Sequence, residues 1–149
     1  MLAEALGVTM HKGFVEVPGE KSDPLLFTLE NGRLGPHPII TGQHSGASIS
    51  RVMTYTGQSL DGPPGSTVLL RLPDTAVESV PVGGDSLAQR PAGPAQGLAF
   101  ELGRGRVVVL GEGGMLTAQV NRRVRYGINA PGNDNQQFVL NVMRWLSGK

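Results

Sequence analysis

The sequence contains no cysteine among its 149 residues. This absence excludes a disulfide framework, a thiolate nucleophile and any zinc or iron–sulfur site with cysteine ligands. Aromatic residues make up only 5% of the chain, and the single tryptophan, Trp145, lies near its end. Any catalysis or metal binding would therefore depend on oxygen and imidazole groups.

Charge and hydrophobicity are also dispersed along the chain. Thirteen basic and twelve acidic residues give a formal net charge of +1, which provides no electrostatic footprint for nucleic acid or for an anionic membrane. No apolar run approaches the roughly 18 residues of a membrane span, and the first residues lack the features of a secretory signal. We therefore predict a cytoplasmic protein without a nucleic-acid or membrane partner.

The length and composition predict a single domain covering residues 1–149. Twenty-two glycines and eleven prolines are typical of a loop-rich α/β protein rather than a helical bundle. Residues 81–96 are rich in Gly, Pro, Ser and Asp and show no periodicity. We expect this segment to be a flexible loop.

Two segments in the last third predict the core. Residues 107–110 are four consecutive apolar residues closed by glycines, which favours a strand buried on both faces, as in a parallel sheet covered by helices. Residues 136–146 carry apolar side chains at helical spacing, with Asn133 or Asp134 as the N-cap and Gly148 just beyond the end. This helix is expected to pack on the sheet.

Shorter patterns predict the remaining elements. Residues 2–6 have helical spacing and end at Gly7, and strands are expected within residues 9–17, 49–56 and 67–72. Residues 20–38 are polar and broken by prolines and glycines, which predicts mainly an ordered loop in which residues 25–29 could pair briefly at a sheet edge. Residues 97–102 and 106–110 predict a hairpin that turns at Gly103. One antiparallel pair beside a parallel core gives a mixed, mainly parallel sheet.

These residues resemble a known family. The resemblance is to the C-terminal half of bacterial domains in the class-I glutamine-amidotransferase-like superfamily, near the GldG-type gliding and transport proteins. It covers most of the chain. It is carried by residues 105–112, 133–138 and 141–148, by His37-Pro38-Ile39-Ile40 and by Tyr55-Thr56-Gly57-Gln58.

The resemblance implies a flavodoxin/amidotransferase-like α/β fold that lacks its N-terminal βαβ half, which would precede Met1. Amidotransferases carry their cysteine nucleophile in that half, and they place a histidine after the strand where this chain has Glu112. The resemblance therefore implies that classical amidotransferase chemistry is lost. Strands left without neighbours would expose their edges, so we expect a homodimer formed through these sheet edges.

The three histidines could form a metal site. His11, His37 and His44 are all near predicted strand ends, and three imidazoles around a zinc ion with an open position would activate water. Their spacing matches no compact ligand motif. In the alternative reading, His37 caps a turn between two prolines while His11 and His44 are solvated. Carboxylates that could complete a ligand set are Glu16, Glu20, Asp23 and Glu112.

Four further residues are candidates for a functional site. Glu112 follows the predicted core strand, where α/β sheets gather ligands; it is either a catalytic carboxylate or an acceptor that fixes loop amides. Arg122 and Arg123 either bind an anionic ligand, together with neighbouring arginines, or are solvated. Asn133 either binds a ligand or caps the last helix.

Two functions remain open at this stage. The first is a non-enzymatic domain that binds a small ligand or a protein partner, because no complete catalytic set can be assembled. The alternative is a small metal-dependent hydrolase of activated phosphate or carboxylic esters, with some of the three histidines as ligands and Glu112 or a nearby carboxylate as the base. Whether the chain is an enzyme is left undecided by the sequence.

Overall fold

The fold is described from a computed structural model, which covers residues 2–20, 24–43 and 47–148. The α-helices are α1 (Leu2–Ala5), α2 (Pro38–Thr41) and α3 (Asn135–Ser147), and a 3-10 helix covers Gly114–Leu116. The strands are β1 (Thr9–Met10), β2 (Phe14–Glu16), β3 (Leu25–Thr28), β4 (Arg51–Thr54), β5 (Leu60–Asp61), β6 (Thr67–Arg71), β7 (Val77–Gly83), β8 (Ser86–Pro91), β9 (Ala95–Leu102), β10 (Gly105–Leu110), β11 (Ala118–Asn121) and β12 (Val124–Gly127).

Every strand pair among the described residues is antiparallel. The largest sheet has the order β1-β5-β9-β10, with β6 also paired to β9, and the smaller sheets are β2-β7-β8, β3-β4 and β11-β12. The expected α/β fold, with a mainly parallel sheet covered by helices in a flavodoxin/amidotransferase-like arrangement, is therefore wrong. The antiparallel sheets also conflict with the description of the chain as amidotransferase-like, which is therefore wrong as well.

The apolar run at residues 107–110 explains the error. These residues form β10, which lies at an edge of the main sheet and is only partly buried. Val108 and Leu110 nevertheless pack against one hydrophobic cluster, while Val107 and Val109 pack against another. A strand covered on both faces has a continuous apolar sequence in either type of sheet, so the pattern could not distinguish parallel from antiparallel pairing.

The last helix is confirmed. Phe138, Val142 and Trp145 lie at positions i, i+4 and i+7 of α3 and are buried in the larger cluster, as expected for an amphipathic helix. Gly148 ends the helix in the left-handed region, with φ 73°. Asn133 accepts a hydrogen bond from the Asn135 N–H at 2.8 Å, so its side chain provides the expected cap.

The segment expected to be a flexible loop is instead largely strand. Residues 81–96 contain the end of β7, all of β8 and the start of β9. β7 and β8 pair as a hairpin that turns at Gly84 and Asp85, with positive φ at Gly83 and Gly84. The residues of β8 are mostly exposed, which accounts for the polar, non-periodic sequence.

Within the described ranges, no helix combines the length and the hydrophobicity needed to cross a bilayer.

Candidate functional site

The expected histidine site is not assembled by the described residues. They include no group of three or more His, Asp or Glu side chains placed to hold a metal ion. His44 and Asp23 lie outside the described ranges. His11 contacts Asp61 through Nε2 at 2.7 Å and lies 3.8 Å from Glu78 through Nδ1. Through these contacts the His11 ring links β5 to β7.

His37 has a structural contact that the sequence predicted. It is the N-cap of α2, and its Nδ1 accepts the Ile39 N–H at 3.2 Å. Its ring packs edge-on against Trp145, with centroids 4.9 Å apart. Burial lowers the pKa of the His37 imidazole, which favours the neutral ring. Since Nδ1 is the acceptor, Nε2 carries the proton. His37 lines a groove of about 580 Å³ with Trp145 and Phe100.

Asn133 and Asp134 are occupied by backbone contacts. The Asn133 amide donates to the carbonyls of Gly127 and Ala130 in addition to its capping bond. The Asp134 carboxylate accepts from the Ser50 hydroxyl at 2.7 Å and from the backbone N–H groups of Ser50 and Arg51. Burial alone would raise the pKa of Asp134, but these bonds outweigh it and the pKa is lowered. These side chains hold the start of α3 against β4.

Glu112 is buried in the short loop between β10 and the 3-10 helix. Its carboxylate accepts hydrogen bonds from the backbone N–H groups of Gly114 and, at 2.8 Å, Met115. Burial raises the pKa of this carboxyl group, and the backbone bonds oppose the shift only in part. A Cβ atom at Gly57 would lie 2.6 Å from the Glu112 Cβ. Glycine at that position therefore lets residues 55–58 pass directly beside Glu112.

The β11–β12 hairpin brings three side chains to Glu112. Gln119 is paired with Tyr126 across the two strands, and Asn121 lies two residues further along β11. Because alternate residues of a strand share a face, these three side chains lie on one face of the hairpin. The end of β12 lies directly against the residue that precedes β11. A Cβ atom added at Gly127 would lie 1.9 Å from the Thr117 carbonyl oxygen.

The face of the hairpin and residues 53–55 enclose a cleft with two lobes. The two lobes share Tyr55 and Tyr126, whose rings meet edge to face with centroids 5.3 Å apart. The Glu112 lobe has a volume of about 360 Å³ and is completed by Glu112, Gly114, Gln119 and Asn121. The Arg125 lobe has a volume of about 330 Å³ and is completed by Pro24, Met53, Val124, Arg125, Ala130 and Pro131.

Hydrogen-bonding capacity remains available in this cleft. In the described part of the chain, no hydrogen bond is made by the side chains of Gln119 and Asn121. An amide side chain offers both donors and an acceptor. The cleft thus combines aromatic surface with a few converging polar groups, which is the usual composition of a ligand site.

Comparison with known proteins gives no match. Neither protein families, nor curated proteins, nor solved structures contain a detectable relative of this chain. The function must therefore be argued from the geometry of the site.

Of the residues predicted from the sequence, Glu112 lies in the cleft, and Arg122 and Arg123 form the turn of the hairpin that borders it. His11, His37 and Asn133 lie elsewhere. The tyrosines and the amides of β11 were missed. Their signal is the alternation of polar and apolar residues within 118–121 and 124–127, which is typical of strands with one face covered.

Proposed function

We propose that the chain is a non-enzymatic binding domain whose site for a small polar ligand is the two-lobed cleft. The observation that carries the proposal is the free hydrogen-bonding capacity of Gln119 and Asn121 on the same hairpin face as Tyr126. A ligand with a flat or ring-shaped body would pack on the tyrosine and exchange hydrogen bonds with the two amides. Glu112 would border the ligand as a fixed acceptor.

The contacts of Glu112 favour binding over catalysis. Both carboxylate oxygens are engaged with backbone N–H groups, and no described histidine lies among the cleft residues. A general base needs a partner within hydrogen-bond reach and freedom to accept a proton. The arrangement therefore supports Glu112 as a residue that shapes the cleft floor.

The experiment is NMR observation of ¹⁵N-labelled protein with a panel of neutral disaccharides, nucleosides and hydroxylated aromatic acids. At least one compound is expected to shift the amide signals of Gln119, Asn121 and Tyr126. Tyr126→Ala should weaken its binding about tenfold because the ring contact is lost, whereas Tyr126→Phe should retain most of the affinity.

A control variant lies in the other large groove. Leu102→Ser changes an exposed residue that lines the His37 groove and should leave binding unchanged. The proposal fails if no compound shifts the hairpin amides, or if Leu102→Ser, and not Tyr126→Ala, weakens binding.

We also propose that the protein forms a homodimer through the free edge of β10. Among the described strands, β10 is paired only with β9, so its other edge presents unpaired backbone groups. The strand contains no proline or lysine that would block pairing with another strand. A second copy of the same strand is the partner that this edge fits, since antiparallel pairing satisfies both edges.

A further inference from the structure

The His37 groove lies at the place where β9 extends beyond β6. Thr67, the first residue of β6, pairs with Ala99, so no described strand covers residues 100–102 of β9 on that side. The side chains that border the groove are mainly apolar or aromatic: Leu6, Pro63, Pro64, Phe100, Leu102 and Trp145. A partner therefore meets an open, largely apolar surface there.

Two N–H donors open into this groove without a partner among the described residues. His37 is 9% exposed and Trp145 6%, and both line the groove. In the described part of the chain, no group accepts a hydrogen bond from His37 Nε2 or from the Trp145 indole N–H, yet neither nitrogen is sealed from solvent. Because both rings are otherwise covered, the groove is the place where a partner reaches these donors.

Both donors are neutral at neutral pH. Burial lowers the pKa of the His37 imidazole, and the indole N–H of Trp145 is a donor only. Among the described residues that line the groove, no lysine or arginine is present to attract an anion. The covered end of the groove therefore fits neutral acceptors such as carbonyl oxygens.

A carboxylate lies at the rim of the groove. The side chain of Glu101 is 73% exposed and lines the groove. Its contact with Arg106 Nε is long, at 4.0 Å, while the Arg106 guanidinium donates to the Trp145 carbonyl at 2.6 Å. The negative charge of Glu101 therefore stays open to a cation on a partner.

We infer that the His37 groove binds an extended, proline-rich peptide segment that carries a lysine or arginine beside its prolines. The carbonyl groups of a polyproline II chain make no internal hydrogen bonds, so they can accept from His37 and Trp145. Proline rings pack in aromatic-lined grooves, and proline brings no N–H that would need an acceptor. The basic side chain of the peptide pairs with Glu101. This site is separate from the two-lobed cleft, and the inference does not depend on the function proposed for that cleft.

Other partners fit these features less well. A helical peptide uses its carbonyl groups internally except in its last turn, so it offers few acceptors to the two donors. A small apolar acid brings a carboxylate, which Glu101 repels and no described basic residue of the lining attracts. Charge and donor pattern together therefore favour a proline-rich segment with a positive charge.

The fluorescence of Trp145 tests the inference, because this residue is the single tryptophan of the chain and lines the groove. The first probe is a synthetic peptide of about ten prolines with an arginine at each end, and it should change the emission saturably. Replacing its arginines by glutamates should weaken binding about threefold, since attraction to Glu101 becomes repulsion. Replacing its prolines by alanines should weaken binding about tenfold, since the free carbonyls and proline rings are lost.

Variants identify the groups that recognise the peptide. His37→Asn removes the ring donor but keeps a residue that caps helices well, and it should weaken binding about fivefold. Leu102→Ser removes an exposed apolar side chain of the groove and should also weaken binding. Glu101→Arg should reverse the preference between the arginine and glutamate peptides. Tyr126→Ala, in the two-lobed cleft, is the control and should bind the peptide as the wild type does.

The contrary outcomes are separate from those of the cleft. The inference fails if the arginine peptide leaves the Trp145 emission unchanged up to millimolar concentration, or if the alanine peptide binds as tightly. Glu101 and Leu102 are exposed, so their variants give a result even where His37→Asn destabilises the protein, and unchanged binding in both overturns the inference. If Tyr126→Ala and not Leu102→Ser weakens binding, the peptide occupies the cleft and this inference fails while the proposed site stands.

Discussion

The Glu112 carboxyl group couples protonation to folding at the scale of one residue. Because its pKa is raised in the folded protein, the folded state keeps this proton to a higher pH than the unfolded state does. The free energy of unfolding therefore falls as the pH rises from the usual glutamate pKa through the raised folded-state pKa. Asp134 and Glu20 have lowered pKa values. Their contribution to the free energy of unfolding therefore rises with pH, in a range below that of Glu112.

Glu112→Gln isolates this effect, because the contributions of Asp134 and Glu20 cancel between the two proteins. Urea unfolding of both proteins across the acidic and neutral range is the measurement. As the pH rises from the usual glutamate pKa through the raised pKa of Glu112, the free energy of unfolding of the wild-type protein should fall relative to that of the variant. Glu101→Gln, at a side chain that is 73% exposed, is the control. A difference that stays flat, or grows in favour of the wild type, would contradict this account.

At the scale of elements, the β11–β12 hairpin has a turn that opposes its own stability. Arg122 and Arg123 occupy positions that favour asparagine and glycine. The conformational cost is local, since both residues are exposed and contribute nothing to either hydrophobic cluster. The same two positions therefore determine both the stability of the hairpin and the positive charge at its tip, and arginine favours the charge over the stability.

Replacing the pair by Asn-Gly should separate these effects. The double variant Arg122→Asn, Arg123→Gly should raise the free energy of unfolding by about 1–2 kcal/mol, because the turn strain is removed. Arg104→Gly, in the β9–β10 turn but without a positive φ, is the matched control and should not stabilise the protein. Thermal unfolding monitored by circular dichroism measures both variants.

The sequence predicted elements better than their arrangement. The 3.6-residue periodicity of α3 and the hairpin of β9 and β10 follow from local patterns, and both are present. Antiparallel pairing of β9 with β5 and β6 joins distant segments, and no local pattern encodes that choice. β11 and β12 were missed although their residues alternate between polar and apolar, because each strand has only four residues and the arginines at 122, 123 and 125 suggested a solvated loop. Glu112 lines the cleft, and its contacts with Gly114 and Met115 agree with the alternative in which it accepts bonds from loop amides; a catalytic role for it stays a prediction.

For the whole molecule, the free edge of β10 is the surface through which we expect two copies to form a homodimer. Val107 to Leu110 are covered on their faces by the two hydrophobic clusters, so the strand is rigid, and only its backbone edge is open. A rigid, unpaired edge without a charged residue in its centre pairs readily with a second copy.

Light scattering coupled to size-exclusion chromatography should give twice the 15.7 kDa of the chain at high protein concentration. On dilution the mass should fall, and those β10 amides that do not face β9 should begin to exchange with deuterium faster. The amides of β10 that bond to β9 provide the internal control, since their protection should not change. A mass of one chain at every concentration would contradict the proposed dimer.

The β11–β12 hairpin stands apart from both hydrophobic clusters, neither of which includes a described residue of the two strands. An element with so little buried apolar surface opens far more often than the body of a domain. Each opening removes one wall of the cleft, so a bound molecule can depart through this motion without passing a fixed entrance. The residence time of a ligand would then be set by the rate at which the hairpin lifts, and ligand binding would slow that motion in return.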